Sequence, residues 1–257
     1  MKDIKHWLDN SLLTLNAQKT NFVTFTMTTS TQPEREYLIT HDGRCQSARD
    51  CKCTVKIKKV ESVKYLGVFL DQYLNYEQHV EYVSGKLRKL IYKFLQLRQV
   101  VNRKTIKMVY HSLTESVLTY GLVVWGLASR KTLKTVEVIQ RAIVKIILFK
   151  NRRYPTKVLF QEACLFSLQQ LAAQVVARFM IKYENYKLQD TSSHHTRAIN
   201  KLMVPRMHYT KTQKHILYIG PKLYNKMPAL LKNKPYSKSK VKIKSWIFDN
   251  NISINKL

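Results

Sequence analysis

VKYLGVFLDQYLNYEQHVEYVSGKLRKLIYKFLQL, residues 63–97, contains the point at which the chain changes its period. Over residues 63–70 apolar and β-branched residues crowd around Gly67, which reads as one strand. Beyond Asp71 the apolar residues recur every three or four positions. Val80, Val83, Leu87, Leu90, Ile91, Phe94 and Leu97 form one stripe of a helix, and Lys86, Lys89 and Lys93 form a second. A strand-bearing region before this point and a helical one after it predict an α+β chain.

Working back from residue 63, residues 54–58 alternate through Val55 and Ile57 and predict another strand. Residues 28–52 are polar, with Pro33 and Asp42-Gly43, and read as loop or hairpin tip. Residues 22–26 (FVTFT) predict a strand, preceded by a turn over residues 16–20. Ile4, Trp7, Leu8 and Leu12 have helical spacing. These strands are too few for a complete sheet.

Working forward, Asn102 can cap a helix with Ile106, Val109, Tyr110, Leu113 and Val117 on one face and Lys104, Lys107 and His111 on another. Ser129 can cap the next. Leu133, Val136, Ile139, Ile143, Ile146 and Ile147 face inward there, with Lys134, Arg141 and Lys145 together outside. After Tyr154-Pro155, Thr156 can cap a short helix. Ser167 opens a longer one carrying Leu168, Leu171, Val175, Phe179, Tyr183 and Tyr186. Residues 187–214 read as a polar linker, 216–219 as a short strand before Gly220-Pro221. The basic segment from Lys238 is anchored by Val241, Trp246 and Ile247.

The 257 residues carry 45 Lys and Arg against 16 Asp and Glu, a formal charge of +29. Residues 129–257 hold 26 basic and 5 acidic side chains, whereas residues 1–128 hold 19 and 11. A body this positive favours a polyanion, nucleic acid before an anionic membrane surface. Hydrophobic residues at 45% supply a core, and 6 Gly with 6 Pro exclude collagen-like, mucin-like and linker chains. For any one lysine stripe a solvated face is the plainer reading. Three stripes with aromatic residues between them point to phosphate contact.

No secretory signal opens the chain, because charged and polar residues from Lys2 to Asn10 interrupt any apolar core. The apolar stretch 116–128 is too short to span a bilayer at about 20 residues per helix. Four cysteines, three of them at Cys45, Cys51 and Cys53, suit a reducing, intracellular setting, nuclear or cytoplasmic, better than a disulfide framework. With His41 these three offer four zinc ligands, but the spacing lacks the usual C-x(2–4)-C turn, and incidental thiols on a hairpin are the simpler reading. Cys164 reads as an inert core residue, and His194-His195 as part of a solvated loop. Hydrolase and nucleotide-loop motifs do not occur, and no two acidic residues are adjacent. Two-metal phosphoryl transfer needs clustered carboxylates, and neither the spacing of Asp3, Asp9 and Asp71 nor any other suggests a cluster. No metal site is predicted.

Several segments together resemble non-LTR retrotransposon reverse transcriptases, jockey-like elements in particular. WLDNSLLTLNAQKTNFVTF (7–25) is similar to the stretch just after the family's catalytic acidic motif, and VKYLGVFLDQYLNYEQHV (63–80) to the next block. YGLVVWG (120–126), Gln140-Arg141, YPTKVLFQEACL (154–165) and IGPKLYNKMPALLK (219–232) resemble later blocks in the same order.

The resemblance implies incomplete palm-edge strands at the N-terminus followed by a mainly helical thumb and C-terminal region. The divisions would be residues 1–76 as palm remnant with a primer-grip hairpin, 77–186 as thumb, and 187–257 as linker and basic end. Lys19 stands where the family keeps a lysine thought to protonate the pyrophosphate leaving group; as a residue it also reads as a plain surface lysine. Tyr65, Leu66 and Gly67 stand at the primer grip, although Gly67 also suits a strand bulge without a ligand. Lys86, Lys89, Lys93, Lys104, Lys107, Lys134, Arg141 and Lys145 would meet the phosphates of an RNA or DNA template–primer. His79 has a counterpart in the family, with helix capping or core packing as its plainer reading. The family's Mg²⁺ is held by paired aspartates upstream of the Trp7 helix, so no cofactor is expected on this chain. A truncated reading frame without polymerase activity is expected, one able to associate with a palm and fingers portion. Other classes are a non-enzymatic nucleic-acid-binding or assembly protein and a basic peripheral membrane protein.

Overall fold

The computed structural model describes residues 2–13, 15–16, 18–26, 37–41, 54–183, 201–232 and 236–256. Cys45, Cys51 and Cys53, read as incidental hairpin thiols, the turn residues Pro33 and Asp42-Gly43, Tyr186, and the Ser192-Ser193-His194-His195 run lie outside the described residues. The chain divides into two compact units, Met1–His79 and Val80–Leu257. It is α+β and mostly helical; among the described residues there are two small sheets, whose five strands lie in the first unit.

The first unit opens with α1 (Lys2–Asn10), on which Ile4 and Trp7 are exposed. β1 (Asn21–Phe22) runs parallel to β3 (Thr54–Lys59), and β2 (Tyr37–His41) runs antiparallel on the other side of β3. The predicted strand over 22–26 is therefore confined to its first residue and Asn21. The predicted loop over 28–52 contains β2, a five-residue strand masked in sequence by polar flanks. Ile57, in the central strand, is buried.

Residues 63–70 are not one strand. They fold into a hairpin, β4 (Ser62–Tyr65) against β5 (Val68–Asp71), with Tyr65 paired to Val68. Leu66 at φ 45° and Gly67 at φ 83° form the two-residue turn. Two positive φ angles give a type I′ geometry that matches the twist of the flanking strands. Gly67 accepts this freely, whereas Leu66 does so against its Cβ. Asp71 then closes the unit: Oδ1 accepts from the amides of Tyr73 (3.1 Å) and Asn75 (2.9 Å), and Oδ2 from Tyr76 (2.6 Å).

The second unit is helical. In α2 (Glu77–Val100), Val80, Val83, Leu87 and Phe94 are buried and Lys86, Lys89 and Lys93 exposed, as the stripes predict. Asn102 caps α3 (Arg103–Val109), its side chain accepting from the Thr105 amide. A π-helical turn, Tyr110–Glu115, follows and leads into α4 (Ser116–Thr119). The wider turn breaks the predicted face. Leu113 is 44% exposed, while Thr114 and Leu118 are buried in its stead. A uniform 3.6-residue period cannot anticipate that shift.

Gly121, at φ 62°, separates α4 from α5 (Leu122–Trp125). A Cβ on Gly126 would lie 2.4 Å from the Leu122 carbonyl oxygen, so the YGLVVWG block is a packing motif requiring both glycines. Ser129 caps α6 (Arg130–Ile147), which buries Leu133, Val136, Ile139, Ile143 and Ile147. Thr156 does not cap α7 (Thr156–Ala163) but is its first residue, with Pro155 preceding it.

Cys164 is exposed rather than in the core. It ends α7 at φ 48°, with its own amide on Gln161 O and the Leu165 amide on Phe160 O. This Schellman termination turns the side chain outward.

α8 (Leu168–Lys182) starts in a capping box between Ser167 and Gln170 and packs against α4, α5, α6, α9 (Ile216–Lys226) and α11 (Tyr236–Asp249). With neighbours all round it has no single apolar stripe; Ala172, Ala173, Val176, Ala177 and Met180 are buried, while Val175 and Phe179 are half-buried. Residues 216–219 are the first turn of α9 and not a strand, capped by the His215 ring accepting from Leu217 N. Gly220 lets α9 approach α8, since a Cβ there would meet Met180 Sδ at 2.5 Å. Part of the predicted linker is tied down as well: Asn225 binds the backbone of Leu202 through both its amide nitrogen (2.9 Å) and its oxygen (2.8 Å). α10 (Ala229–Lys232) leads toward α11, where Ile243 and Ile247 are buried and Val241, a predicted anchor, is exposed.

Candidate nucleic-acid interface

The turn at Asn102 separates α2 from α3 and leaves Arg98 and Arg103 flanking it. The end of α6 comes to the same place. Its C-terminus is another Schellman motif, with the Phe149 amide on Ile146 O (3.1 Å) and the Lys150 amide on Lys145 O (2.9 Å). Glycine usually occupies the left-handed position of this motif. Here it is Phe149, at φ 57° and 43% exposed. Its ring receives the guanidinium of Arg98 at 5.6 Å and that of Arg103 at 5.4 Å.

The segment after Phe149 is pinned by charge. Lys145 Nζ donates to the Arg152 carbonyl at 2.6 Å. Glu162 on α7 accepts from Lys150 Nζ at 2.8 Å and from the Tyr154 hydroxyl at 2.6 Å. The Lys150 ammonium, then the Tyr154 hydroxyl, hold the Glu162 carboxyl below its ordinary range. Glu162 in turn raises both the Lys150 and the Tyr154 pKa. The result is an aromatic ring carrying two guanidiniums, followed by a braced segment with the exposed Arg152 and Arg153. A guanidinium stacked on a ring keeps its in-plane N–H fork for a phosphate, and Arg is less strongly hydrated than Lys.

The sequence-predicted residues fall in both units. Lys19 is exposed in a turn, its amide on the Asn16 carbonyl (3.2 Å) just before β1. Tyr65 and Leu66, 63% and 74% exposed, form the hairpin tip with Gly67. In the second unit, Lys86, Lys89 and Lys93 are on α2, Lys104 and Lys107 on α3, and Lys134, Arg141 and Lys145 on α6. Lys86 stands over the Tyr82 ring at 4.4 Å. Each set shares a helix face. What joins α2, α3 and the end of α6 is Arg98, Arg103 and Phe149, none of them singled out from sequence.

Other candidates have structural roles. His79 is buried and its Nδ1 accepts from the Phe69 amide at 3.4 Å, which is the packing reading. Both oxygens of Asp71 receive backbone amides. Gln140 of the Gln140-Arg141 pair lies in the core, and only Arg141 is turned toward the surface. Among the described residues no group of three His, Cys, Asp or Glu is placed to hold a metal ion, and no helix is long and apolar enough to cross a membrane.

No protein-family model and no solved structure matches the chain. It is similar to RNA-directed DNA polymerases of Drosophila melanogaster mobile elements. It is 26% identical over 144 residues to the probable RNA-directed DNA polymerase from transposon X-element, a match covering 55% of this chain and 14% of that protein. It is 25% identical over 146 residues to the RNA-directed DNA polymerase from mobile element jockey, covering 56% and 14% respectively. The probable RNA-directed DNA polymerase from transposon BS is 26% identical over 99 residues, 36% of this chain and 11% of that protein. The resemblance to non-LTR retrotransposon polymerases thus holds, over a small part of those relatives' length.

Proposed function

We propose that this chain grips a template–primer duplex by its phosphates, as the portion of a non-LTR retrotransposon RNA-directed DNA polymerase that follows the catalytic acidic motif. The observation that carries this reading is the pair of guanidiniums, Arg98 and Arg103, over the Phe149 ring where α2, α3 and α6 end or begin. Two cations fixed on one ring lose little freedom when a phosphate arrives, and each phosphate neutralised releases counterions. The lysines of α2, α3 and α6 extend the same chemistry. In this reading residues 77–186 are the thumb, 187–257 the basic end, and the β4–β5 hairpin the primer grip. Gly67 brings no side chain there, so a sugar–phosphate backbone can approach. Lys19 is the candidate leaving-group acid.

The chain's part is binding and not synthesis. Its 16 acidic residues are scattered, whereas two divalent cations roughly 3.5–4 Å apart need carboxylates gathered at one point. Mg²⁺ and its aspartates would belong to a palm and fingers portion with which this chain associates.

The test is the affinity of the purified chain for an RNA–DNA hybrid across a salt series, alongside primer extension with Mg²⁺. Salt-sensitive binding that weakens in Arg98→Gln and Arg103→Gln, with extension at background, is expected. Binding that ignores both salt and the two substitutions overturns the interface, and robust synthesis overturns the division of labour.

A further inference from the structure

The positive charge of the chain divides sharply between its two units. Residues 80–257 hold 34 basic and 7 acidic side chains, a net of +27, whereas residues 1–79 hold 11 and 9, a net of +2. A nearly neutral unit has little attraction for a polyanion but can meet a protein surface.

The first unit also leaves its apolar residues uncovered. Outside the β2–β3 pair, none of the hydrophobic side chains among its described residues is buried. On α1, Ile4, Trp7 and Leu8 have the spacing of one helix face. Trp7 is 62% exposed, and Ile4 more than half. The helix ends in a Schellman motif: the Leu13 amide donates to the Leu8 carbonyl at 2.9 Å, with Leu12 left-handed at φ 55°. The motif sets Leu13 next to Leu8, which extends the face, and leaves Leu12 94% exposed. The exposed parts of Ile4, Trp7, Leu12 and Leu13 come to about 500 Å², and two such faces to about 1,000 Å², the lower limit for a specific interface.

Charge decides the occupant. Two chains meeting through their helical units would set +27 against +27, whereas two first units meet almost without repulsion. The α1 sequence is itself balanced, with two lysines and two aspartates. In an antiparallel pair of such helices, position 4 of one copy is level with position 7 of the other, and position 2 with position 9. That register matches Ile4 with Trp7 and Lys2 with Asp9, twice over. We propose that the chain dimerises through α1, the Ile4, Trp7 and Leu8 face of one copy packed antiparallel on that of a second about a two-fold axis. The phosphate-binding residues of the helical unit take no part in this contact.

The experiment is sedimentation equilibrium of the full chain, freed of nucleic acid by nuclease, at micromolar concentrations and at about 0.15 and about 0.5 M salt. A monomer–dimer equilibrium is expected, tighter at the higher salt, because screening lowers the repulsion between two chains of +29. Association that weakens with salt is bridging by nucleic acid and overturns the proposal. Ile4→Asp and Trp7→Lys should each weaken the dimer about tenfold or more. An equimolar mixture of the two variants should recover it, since the two new charges are opposite in sign and face each other across the interface. Both positions are exposed, and recovery in the mixture shows that both variants fold. A chain that stays monomeric throughout overturns the proposal and leaves the face to a different polypeptide. A dimer indifferent to both substitutions, or a mixture that does not recover, overturns it as well. Neither substitution alters Arg98 or Arg103, so the phosphate grip is tested separately.

Discussion

The carboxamide nitrogen of Gln140 donates to the Tyr110 hydroxyl at 2.9 Å inside the core of the helical unit. The same nitrogen reaches the Phe166 carbonyl at 2.9 Å, and the amide oxygen accepts from Leu168 N at 2.9 Å. One side chain of α6 thereby ties the π-helical turn to the entry of α8. A buried network fully satisfied is strong, and broken it leaves several groups without partners.

Gln140→Leu should therefore destabilise the chain by about 3 kcal/mol or more, since it orphans a hydroxyl, a carbonyl and an amide together. Tyr110→Phe leaves Gln140 its other two partners and should cost about 1 kcal/mol. Urea denaturation of both variants and the double variant measures the coupling. Additive losses would mean that the two residues do not act as a unit.

Stability should also fall at high pH because of Tyr110. Burial raises its pKa well above the ordinary value of 10.0, outweighing the opposing hydrogen bond from Gln140. The unfolded chain then ionises first, binds fewer protons than the folded one, and gains as pH rises. Tyr110 is neutral in the fold below pH 10, so its contribution is intact there and declines above it, by up to about 1.4 kcal/mol per pH unit. Denaturation midpoints at pH 9 and pH 11 should separate the wild type from Tyr110→Phe, whose decline is shallower. Parallel declines would refute the assignment.

What was legible in sequence was local. Asn102, Ser129 and Ser167 cap the helices they precede, because a cap is decided within four residues. The lysine and apolar stripes of α2 and α6 likewise follow from a uniform period. Other features depended on distant partners or on irregular turns. The π turn moves burial from Leu113 to Thr114, and residues 216–219 become helical against Met180 on α8. Phe149 and Cys164 end helices where a glycine signal was lacking. The proposed interface was half visible, since lysine faces repeat along one helix whereas Arg98, Arg103 and Phe149 meet only through the fold.

The β4–β5 hairpin offers a test in the first unit. Leu66 sits at φ 45°, where Asn is better tolerated, and Gly67 at φ 83°. Leu66→Asn should stabilise the hairpin by about 0.5–1 kcal/mol, and Gly67→Ala should destabilise it by about 1–2 kcal/mol. Hydrogen exchange at the Tyr65 and Val68 amides reports both. If the tip serves as a primer grip, Gly67→Ala weakens hybrid binding beyond its effect on folding, because the new methyl stands where the backbone approaches.

Arg98→Gln and Arg103→Gln should each lower the slope of log affinity against log salt by about 0.9 on a duplex, with little change in sequence preference. Phe149→Gly separates binding from packing. Glycine relieves the left-handed backbone by about 1 kcal/mol, while the lost stacking with two guanidiniums forfeits a comparable amount. Stability should thus change by less than about 1 kcal/mol, whereas a ring that served only the core would cost about 3–5 kcal/mol on removal. Affinity for the hybrid should drop roughly tenfold, as both arginines lose the platform that holds their forks in place. A stable Phe149→Gly protein that binds as tightly as wild type would show that the ring contributes nothing to the interface.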